Sequence, residues 1–288
     1  MKGKLYSLVL GLVVATIPRA QANEDPTFIT IDFPGASITT AQGINGRGDI
    51  VGLYVIADVS HGYVRTRGEF ATIDFPGASD TFCRGINSRG DIVGQYLISG
   101  LSHGFLLREG EFTTIDFPGA SATFARAINS RGDIVGGYES AGVIHGFLLR
   151  RGAFTKIDFP DANLTFPVGI NSRGDIVGQY TSAGASHGFL LHEGEFTTID
   201  FPGASSTVAY GINSRGDIVG SYAGPDTTHG FLLHKGEFTT IDFPGAGGTL
   251  ALGINDRGLI VGAYATDIVL HGFLLSRREN DEEDDGPR

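Results

Sequence analysis

The chain of 288 residues contains one cysteine, no tryptophan and one methionine, which is its first residue. Because Cys83 is alone, no disulfide can form within the chain, and stability has to come from packing. Cations are also scarce, since 21 lysines and arginines stand against 32 aspartates and glutamates, for a formal net charge of -11. This balance argues against nucleic acid and anionic membranes as partners.

Long apolar runs are absent except near the N-terminus. Lys2 and Lys4 precede an apolar run from Leu5 to Ile17, and Ala20-Gln21-Ala22 follows. This pattern predicts a signal peptide over residues 1–22, cleaved after Ala22, and hence a secreted or periplasmic protein that is not inserted in a membrane after cleavage. Losing Lys2, Lys4 and Arg19 takes the net charge from -11 to -14. The alternative is an apolar N-terminal strand.

Glycine is abundant, with 44 residues, and much of it belongs to a repeat. "IDFPGA" begins at 31, 73, 115, 199 and 241, and "IDFPDA" begins at 157. "GIN" or "AIN" and "HGF" or "HGY" recur with the same spacing of 42 residues, which gives six units without an insertion. A unit of ~40 to 45 residues, rich in glycine and without helical periodicity, is typical of one four-stranded blade of a β-propeller.

Each unit divides into four predicted strands, which we name a, b, c and d. In the second unit these are residues 81–87, 91–96, 103–107 and 112–117. Asn87 and Gly90 suit a type I turn with a glycine bulge between strands a and b, and Glu109-Gly110 suits a two-residue hairpin loop between c and d. The tripeptide Arg89-Gly90-Asp91, which recurs in four other units, is therefore interpreted as a turn rather than as an adhesion signal.

The two ends of the repeat region complement each other. A lone strand d is predicted at 28–33, and the last unit stops after strand c at 271–275. Pairing the two would complete a sixth blade and leave no open sheet edge. We therefore expect an all-β six-bladed propeller over residues 23–275, closed by its N-terminal strand, and a disordered acidic tail over 276–288. An open stack of blades is the alternative.

The motifs "GINSRGDIVGQY" and "HGFLLREGEF" resemble the HAF repeats of extracellular bacterial proteins, although this chain has His-Gly-Phe where that name implies His-Ala-Phe. The resemblance covers about residues 28–275. It implies secretion and a propeller-like array, and it brings no established activity. WD40 propellers are similar only in architecture, because the Trp-Asp ending is missing.

A histidine, an aspartate and a tyrosine recur in every unit. In the second unit, a two-residue loop between c and d would bring His103 opposite Asp116, with Tyr96 at the same edge. We interpret this set as a buried structural tie, because a ring of metal sites would need three or more converging ligands at each site. No metal and no cofactor is predicted.

The same set is predicted in the other five units, with the last one completed by the lone N-terminal strand. The histidines are His61, His145, His187, His229 and His271. The aspartates that would face them are, in the same order, Asp74, Asp158, Asp200, Asp242 and Asp32. The tyrosines are Tyr54, Tyr138, Tyr180, Tyr222 and Tyr264. We expect each of these pairs to be buried like the pair of the second unit.

Departures from the repeat are candidates for function. One position of strand a carries Gln42, Arg84, Arg126, Val168, Tyr210 and Leu252, and the six-residue loops predicted between b and c also vary. We expect Gln42, Arg84, Arg126 and Tyr210 to form a binding site at the mouth of the channel. "GLSHG" and "GASHG" contain Ser102 and Ser186 but lack the strand-to-helix context of a nucleophile elbow, and Cys83 replaces alanine, as expected of a small buried residue.

These observations favour a monomeric, non-catalytic binding or scaffold propeller whose partner is an extracellular protein or glycan. The alternative is an enzyme, a lyase or hydrolase, with a single site at the channel mouth.

Overall fold

The structure is a computed structural model that describes residues 27–267 and 269–276. Within these ranges the regular structure is entirely β-strand, and none of the described residues forms a helix long and apolar enough to cross a membrane. The predicted signal peptide lies outside the described residues, as does the predicted tail from residue 277 onward.

Six sheets of four antiparallel strands surround a central axis. Blade 1 contains β2 (Ile38–Ile44), β3 (Ile50–Ile56), β4 (Val59–Thr66) and β5 (Glu69–Ile73). Blade 2 contains β6 (Asp80–Ile86), β7 (Ile92–Ile98), β8 (Leu101–Arg108) and β9 (Glu111–Ile115). Blade 3 contains β10 (Ala122–Ile128), β11 (Ile134–Ser140), β12 (Val143–Arg150) and β13 (Ala153–Ile157).

The other three blades repeat this order. Blade 4 contains β14 (Leu164–Ile170), β15 (Ile176–Ser182), β16 (Ala185–His192) and β17 (Glu195–Ile199). Blade 5 contains β18 (Thr207–Ile212), β19 (Ile218–Ala223), β20 (Thr228–His234) and β21 (Glu237–Ile241). Blade 6 contains β22 (Gly248–Ile254), β23 (Ile260–Thr266), β24 (Val269–Ser276) and the N-terminal strand β1 (Thr27–Ile31). The all-β six-bladed propeller predicted from the sequence is confirmed.

The ring closes as expected, because β1 is the outer strand of blade 6. It pairs antiparallel with β24, from Thr27 opposite Ser276 to Ile31 opposite Gly272. Strand β24 therefore includes Ser276, one residue more than the predicted boundary allowed. Leu275, which lies opposite Phe28 in this pairing, is only 2% exposed.

The core lies between the blades. Val51 and Ile73 of blade 1 pack with Cys83, Tyr96 and Phe105 of blade 2, and equivalent clusters fill the other interfaces. At the closing interface, Ile31 and Val261 of blade 6 pack with blade 1 in the same way. Closure therefore buries the same kind of apolar surface as every other interface, which accounts for a stable ring without a disulfide.

The "IDFPGA" motif carries the chain from one blade to the next. The ring of Phe75 stacks on that of Tyr96 in the following blade, with 3.6 Å between centroids. The Phe75 backbone N–H donates to Thr81 Oγ1 at 2.9 Å, and the Ala78 N–H donates to the Phe75 carbonyl, which closes a turn around Gly77 at φ +80°. The motif thus packs each outer strand against the next inner one.

Strands b and c are longer than predicted. In blade 2 they run to Ile98 and from Leu101, so the turn between them is Ser99-Gly100, with φ of +53° and +78°. The predicted six-residue loops between b and c are therefore wrong, because most of their residues continue the hairpin. Blade 5 differs, since residues 224–227 form a longer connection in which Gly224 N–H donates to the Thr227 carbonyl.

Each strand a contains a β-bulge that the spacing of the repeat does not predict. In blade 2 the register shifts between Cys83 and Gly85, which leaves Arg84 as the extra residue. The bulge turns a carbonyl toward strand b, so that a Cβ on Gly94 would lie 1.9 Å from the Phe82 oxygen. The glycine of each "IVG" is required by this close approach.

Six asparagines form a ring of hydrogen bonds around the axis. Asn87 Nδ2 donates to the Asn129 carbonyl of the next blade at 3.3 Å, and the other blades repeat this bond. The ring closes where Asn255 Nδ2 donates to the Asn45 carbonyl at 2.9 Å. Each "GIN" or "AIN" motif therefore ties its blade to the following one. The remaining bonds run from Asn45 to Asn87, Asn129 to Asn171, Asn171 to Asn213 and Asn213 to Asn255.

Candidate functional site

The Arg-Gly-Asp turns lie on the face that also carries the turns between c and d. Asp91 is only 6% exposed, and its carboxylate accepts hydrogen bonds from Asn87, Arg89 and Arg108. Burial alone raises the pKa of Asp91, but these hydrogen bonds outweigh it and hold the pKa below its ordinary value. The aspartate is buried and bound within the protein, which supports the interpretation of the tripeptide as a turn.

The predicted contact between histidine and aspartate is present in all six blades. In blade 2, His103 Nδ1 lies 3.0 Å from Asp116 Oδ2, and the histidine ring stacks on Tyr96 with 5.3 Å between centroids. The expectation that the pair is buried is wrong, because the side chains of His103 and Asp116 are 31% and 47% exposed. The pair lies beyond Ile115, the last residue of strand d that pairs with strand c, where solvent reaches it.

The aspartates of the other five blades were also expected to be buried, and this expectation is wrong as well. The side chains of Asp74, Asp200, Asp242 and Asp32 are between 46% and 50% exposed, and that of Asp158 is 33% exposed. The physical reason is again their position, since each follows the isoleucine that ends strand d. Asp158 is the most covered because Lys156 Nζ lies 2.7 Å from its Oδ2.

The contacts themselves have nearly the same length in these five blades. The distances from histidine Nδ1 to the nearer carboxylate oxygen are 3.0 Å from His61 to Asp74, 3.1 Å from His145 to Asp158, 2.9 Å from His187 to Asp200, 3.0 Å from His229 to Asp242 and 3.0 Å from His271 to Asp32. The last contact crosses the closure of the ring. Exposed pairs of this kind contribute little to stability. The buried member of each set is the tyrosine, which is at most 7% exposed in every blade except blade 5, where Tyr222 is partly exposed.

No group of three or more histidine, cysteine, aspartate or glutamate side chains converges to hold a metal within residues 27–267 and 269–276. The two Gly-x-Ser-x-Gly segments lie within the hairpins of strands b and c, and not at a strand-to-helix turn. Ser102 Oγ donates to the Thr123 carbonyl at 3.4 Å. Cys83 is fully buried, and burial raises the pKa of its thiol, so it lacks the thiolate character of a nucleophile.

The four candidate channel residues belong to the β-bulges. Arg84, Arg126 and Tyr210 line a cavity of about 90 Å³ on the propeller axis together with Gln42. They lie within strand a, and the hairpin turns between b and c do not line this cavity. We name this space the axial cavity. Its lining consists of the bulge residue and the next two residues of every blade.

A larger cleft opens on the face of the Arg-Gly-Asp turns, between the turns of blades 2, 3 and 4. Its volume is about 870 Å³, and we name it the arginine cleft. Leu106, Ile134 and Leu149 contribute to its lining, and Asp133 is the one acidic residue in it. The arginines that line it are Arg89, Arg108, Arg131, Arg150, Arg151 and Arg173.

Blade 3 adds an arginine to the cleft that blades 2 and 4 lack. Its turn between c and d reads Arg150-Arg151-Gly152-Ala153, whereas blade 2 has Arg108-Glu109-Gly110-Glu111 and blade 4 has His192-Glu193-Gly194-Glu195. Two acidic residues are thus replaced in blade 3, one of them by a cation. The backbone does not change, because Arg151 and Glu109 both have φ of +52°.

The arginine cleft was not predicted from the sequence. Its residues come from two different turns in adjacent units, and the net charge of the chain is negative. The signal is present when the six repeats are aligned, because the turn between c and d of the third unit stands apart in charge. The candidate positions in strand a and between strands b and c lie away from this face.

No protein-family model matches the chain, and no curated protein matches its sequence. The resemblance to HAF-repeat proteins therefore stays a prediction. Solved structures do match in fold, and they are propellers.

Three examples with TM-scores above 0.5 illustrate this similarity. The β-propeller domain of the trilobed protease from Pyrococcus furiosus has a TM-score of 0.56 at 10% identity, over 86% of this chain and 95% of that one. A catalytically inactive variant of virginiamycin B lyase from Staphylococcus aureus, solved with quinupristin, has a TM-score of 0.54 at 14% identity, over 88% and 99%. A putative gluconolactonase has a TM-score of 0.52 at 12% identity, over 88% and 92%. At this identity the similarity shows the fold alone.

Proposed function

We propose that the protein is a secreted or periplasmic propeller that binds an extracellular glycan or protein without catalysis, and that acidic groups of this partner bind in the arginine cleft. The observation that carries the proposal is the convergence of six arginines from three successive blades in one open cleft. The signal-like N-terminus and the motifs similar to HAF repeats support the location outside the cytoplasm.

The cleft has more positive than negative charge. Asp91 holds both Arg89 and Arg108, and Asp133 holds both Arg131 and Arg150, so each buried carboxylate serves two guanidinium groups. Arg151 forms no ion pair with any residue that the structure describes. Since the rest of the chain is acidic, this cleft stands out as the place where a partner's anionic groups are attracted.

The arginines are also held in position. The guanidinium groups of Arg89, Arg108, Arg131 and Arg150 are fixed by their aspartates on one side, yet these four side chains remain 48% or 49% exposed. A fixed planar guanidinium binds carboxylate or sulfate groups with two parallel hydrogen bonds. A row of them over adjacent blades suits a partner with repeated anionic groups.

The test compares charge reversal in the cleft with the same reversal elsewhere. Arg151→Glu copies the glutamate of blades 2 and 4, and Arg67→Glu makes the same change at the equivalent turn of blade 1. The probes are polygalacturonate, polyglutamate and neutral dextran, with affinity measured by biolayer interferometry. We expect an acidic probe to bind, R151E to weaken it by about tenfold and R67E to leave it nearly unchanged, with affinity falling as salt rises.

The probes separate the classes of partner. Preference for polygalacturonate over polyglutamate would identify a glycan, and the reverse would identify an acidic protein segment. The proposal fails if neither acidic probe binds better than dextran, or if R67E and R151E weaken binding equally.

A second candidate function is a lyase or hydrolase with one site on the channel. Arg84, Arg126 and Tyr210 line the axial cavity, and arginine and tyrosine side chains can stabilise charge or transfer a proton in a reaction. The propellers of similar fold include a virginiamycin B lyase and a putative gluconolactonase. Incubation with quinupristin and with gluconolactone tests this function. Turnover that Arg84→Gln abolishes and R151E preserves would favour the enzyme over the binding protein.

A further inference from the structure

The axial cavity contains two positive charges and no negative one. Arg84 and Arg126 come from the bulges of adjacent blades and line the same space of about 90 Å³. None of the eighteen residues that line it is acidic. The arginine cleft is different, because a buried aspartate accompanies its arginines there.

The two side chains have unsatisfied donors. The Nε atoms of Arg84 and Arg126 are both buried and have no hydrogen-bond partner among the described residues. An aromatic ring covers one face of each guanidinium, since Arg84 Cζ lies 5.3 Å from the centroid of Phe82 and Arg126 Cζ lies 4.7 Å from that of Phe166. A ring stabilises the charge through the guanidinium face and leaves the N–H groups at its edge without an acceptor.

The pKa values of the two arginines also indicate that a negative counter-charge is missing. Burial lowers the pKa of Arg84 well below its ordinary value, and the charge of Arg126 lowers it further. Burial also lowers the pKa of Arg126, to about 10, which still leaves it charged at neutral pH. Two charges of one sign in one confined cavity, each with a buried Nε–H that has no acceptor, are unfavourable unless an anion accompanies them.

We propose that the axial cavity binds one small oxyanion, a free carboxylate or an inorganic ion such as phosphate or sulfate, between the guanidinium groups of Arg84 and Arg126. The oxygens of the ion accept hydrogen bonds from the Nε–H and terminal N–H groups. The volume suits this occupant, because a cavity of about 90 Å³ has room for an ion of a few heavy atoms. The side chains keep partial exposure, so the ion exchanges with solvent.

The chain supplies its own substitutes for the test. Gln42 and Val168 occupy the same bulge position in blades 1 and 4, so Arg84→Gln and Arg126→Val use residues that this fold already accommodates. The thermal midpoint of the full chain without its signal peptide is measured as sodium acetate, phosphate or sulfate is added, with sodium chloride at equal ionic strength as control. R151E is a second control, because it changes the arginine cleft and leaves the axial cavity intact.

We expect a saturable rise in the midpoint with at least one oxyanion in the unsubstituted protein and in R151E, and none in the R84Q/R126V double variant. Acetate against phosphate and sulfate distinguishes the carboxylate from the inorganic ion. In oxyanion-free buffer, R84Q should be at least as stable as the unsubstituted protein, since it removes one of two repelling charges.

Anomalous diffraction from a crystal soaked in selenate is an independent test. Anomalous density within hydrogen-bond distance of both guanidinium groups supports the proposal. The proposal is overturned if the cavity contains only water, if chloride stabilises the protein as much as the oxyanions do, or if the double variant responds like the unsubstituted protein. None of these outcomes depends on whether a polymer binds in the arginine cleft.

Discussion

The carboxamide of Asn87 takes part in a turn and in an interface between blades at once. Its Oδ1 accepts hydrogen bonds from the backbone N–H groups of Arg89 and Asp91 at 2.9 and 3.0 Å. Its Nδ2 donates to Asp91 Oδ2 at 2.8 Å and to the Asn129 carbonyl. An aspartate lacks the two donors and a serine is too short to reach both partners, so the presence of asparagine in all six units follows from this geometry.

Asn87→Ala should therefore reduce the free energy of unfolding, by about 1–3 kcal/mol for each buried polar group that it leaves unsatisfied. Asn87→Asp should be at least as damaging at neutral pH, because it replaces the donor beside Asp91 with a second carboxylate. Urea unfolding of both variants measures the loss. Ser88→Ala, at the exposed neighbouring position, should stay close to the unsubstituted protein, and a loss there equal to that of N87A would contradict the argument.

The aspartate of each Arg-Gly-Asp turn makes the stability of the protein depend on pH. Burial by itself raises the pKa of Asp91, yet hydrogen bonds from Asn87, Arg108 and Arg89 lower it overall, and the pKa values of Asp49, Asp133, Asp175 and Asp217 are also lowered. A lowered pKa in the folded state stabilises the protein at pH values above the ordinary aspartate pKa of about 3.9. This contribution is lost as the pH falls through the folded-state pKa.

Asp91→Leu tests this dependence, since blade 6 already has Leu259 at that position. We expect the variant to be about 1–3 kcal/mol less stable than the unsubstituted protein at pH 7, and the difference to shrink below about pH 4. Urea midpoints at pH 7, 5 and 3 measure it. A difference that stays constant down to pH 3 would show that the carboxylate charge is not what stabilises the turn.

At the scale of the strand, the bulge explains the two kinds of glycine in the unit. Gly94 lies opposite the bulge, and a Cβ there would lie 1.9 Å from the Phe82 carbonyl oxygen. Gly85 follows the bulge, and a Cβ there would approach Arg126 O and the Ala127 Cα at 2.9 Å. At Gly94 the added Cβ would overlap a backbone carbonyl, which cannot move easily. At the position of Gly85, blade 3 already has an alanine, Ala127.

Gly94→Ala should consequently destabilise the protein by about 3 kcal/mol or more, as expected when a buried backbone must move to admit a methyl group. Gly85→Ala is the matched control and should lose markedly less. Thermal and urea unfolding of the two variants compare them. Equal losses would mean that the bulge does not set the requirement for glycine.

The sequence was sufficient for the strands and turns and insufficient for the bulge. Period-two patterning and turn residues predict a hairpin such as that closed by Glu109-Gly110, whose pairing of Arg108 with Glu111 is confirmed. The bulge at Arg84 adds a residue to strand a without changing the repeat length, so nothing in the spacing marks it. Its only trace is the glycine on the facing strand, which is also compatible with an ordinary tight hairpin.

At the scale of the whole molecule, the repeat determines the fold but not the sites. Six units and complementary ends are enough to predict a closed ring, because each unit needs a neighbour on both sides to bury its apolar surface. The axial arginines were identified from their irregular position in strand a. The arginine cleft depends on which turns of different blades meet at one face, and this is a property of the folded ring rather than of any single repeat. Register likewise predicts that His103 faces Asp116, but not that both lie at an edge open to solvent.

Closure makes the stability of the ring depend on its first strand. Phe28 packs edge-on against Phe243 and Phe273, Ile31 is 2% exposed, and Thr30 Oγ1 lies 2.9 Å from the Tyr264 hydroxyl. A chain that begins at residue 34 loses all of these contacts and exposes the edge of β24. We expect its free energy of unfolding to fall by several kcal/mol, a large part of the total for a domain.

A synthetic peptide of residues 24–33 should restore much of that stability in trans, because the strand is joined to blade 6 by hydrogen bonds and packing alone. Thermal unfolding with and without the peptide measures the recovery, and a scrambled peptide of the same composition controls for non-specific effects. A chain that ends at residue 276 should unfold like the full one, since it keeps every described pair between β24 and β1, from Thr27 opposite Ser276 to Ile31 opposite Gly272. An unchanged midpoint in the N-terminal truncation would show that the ring does not need this strand, and that the six inter-blade clusters are not equivalent contributors to stability.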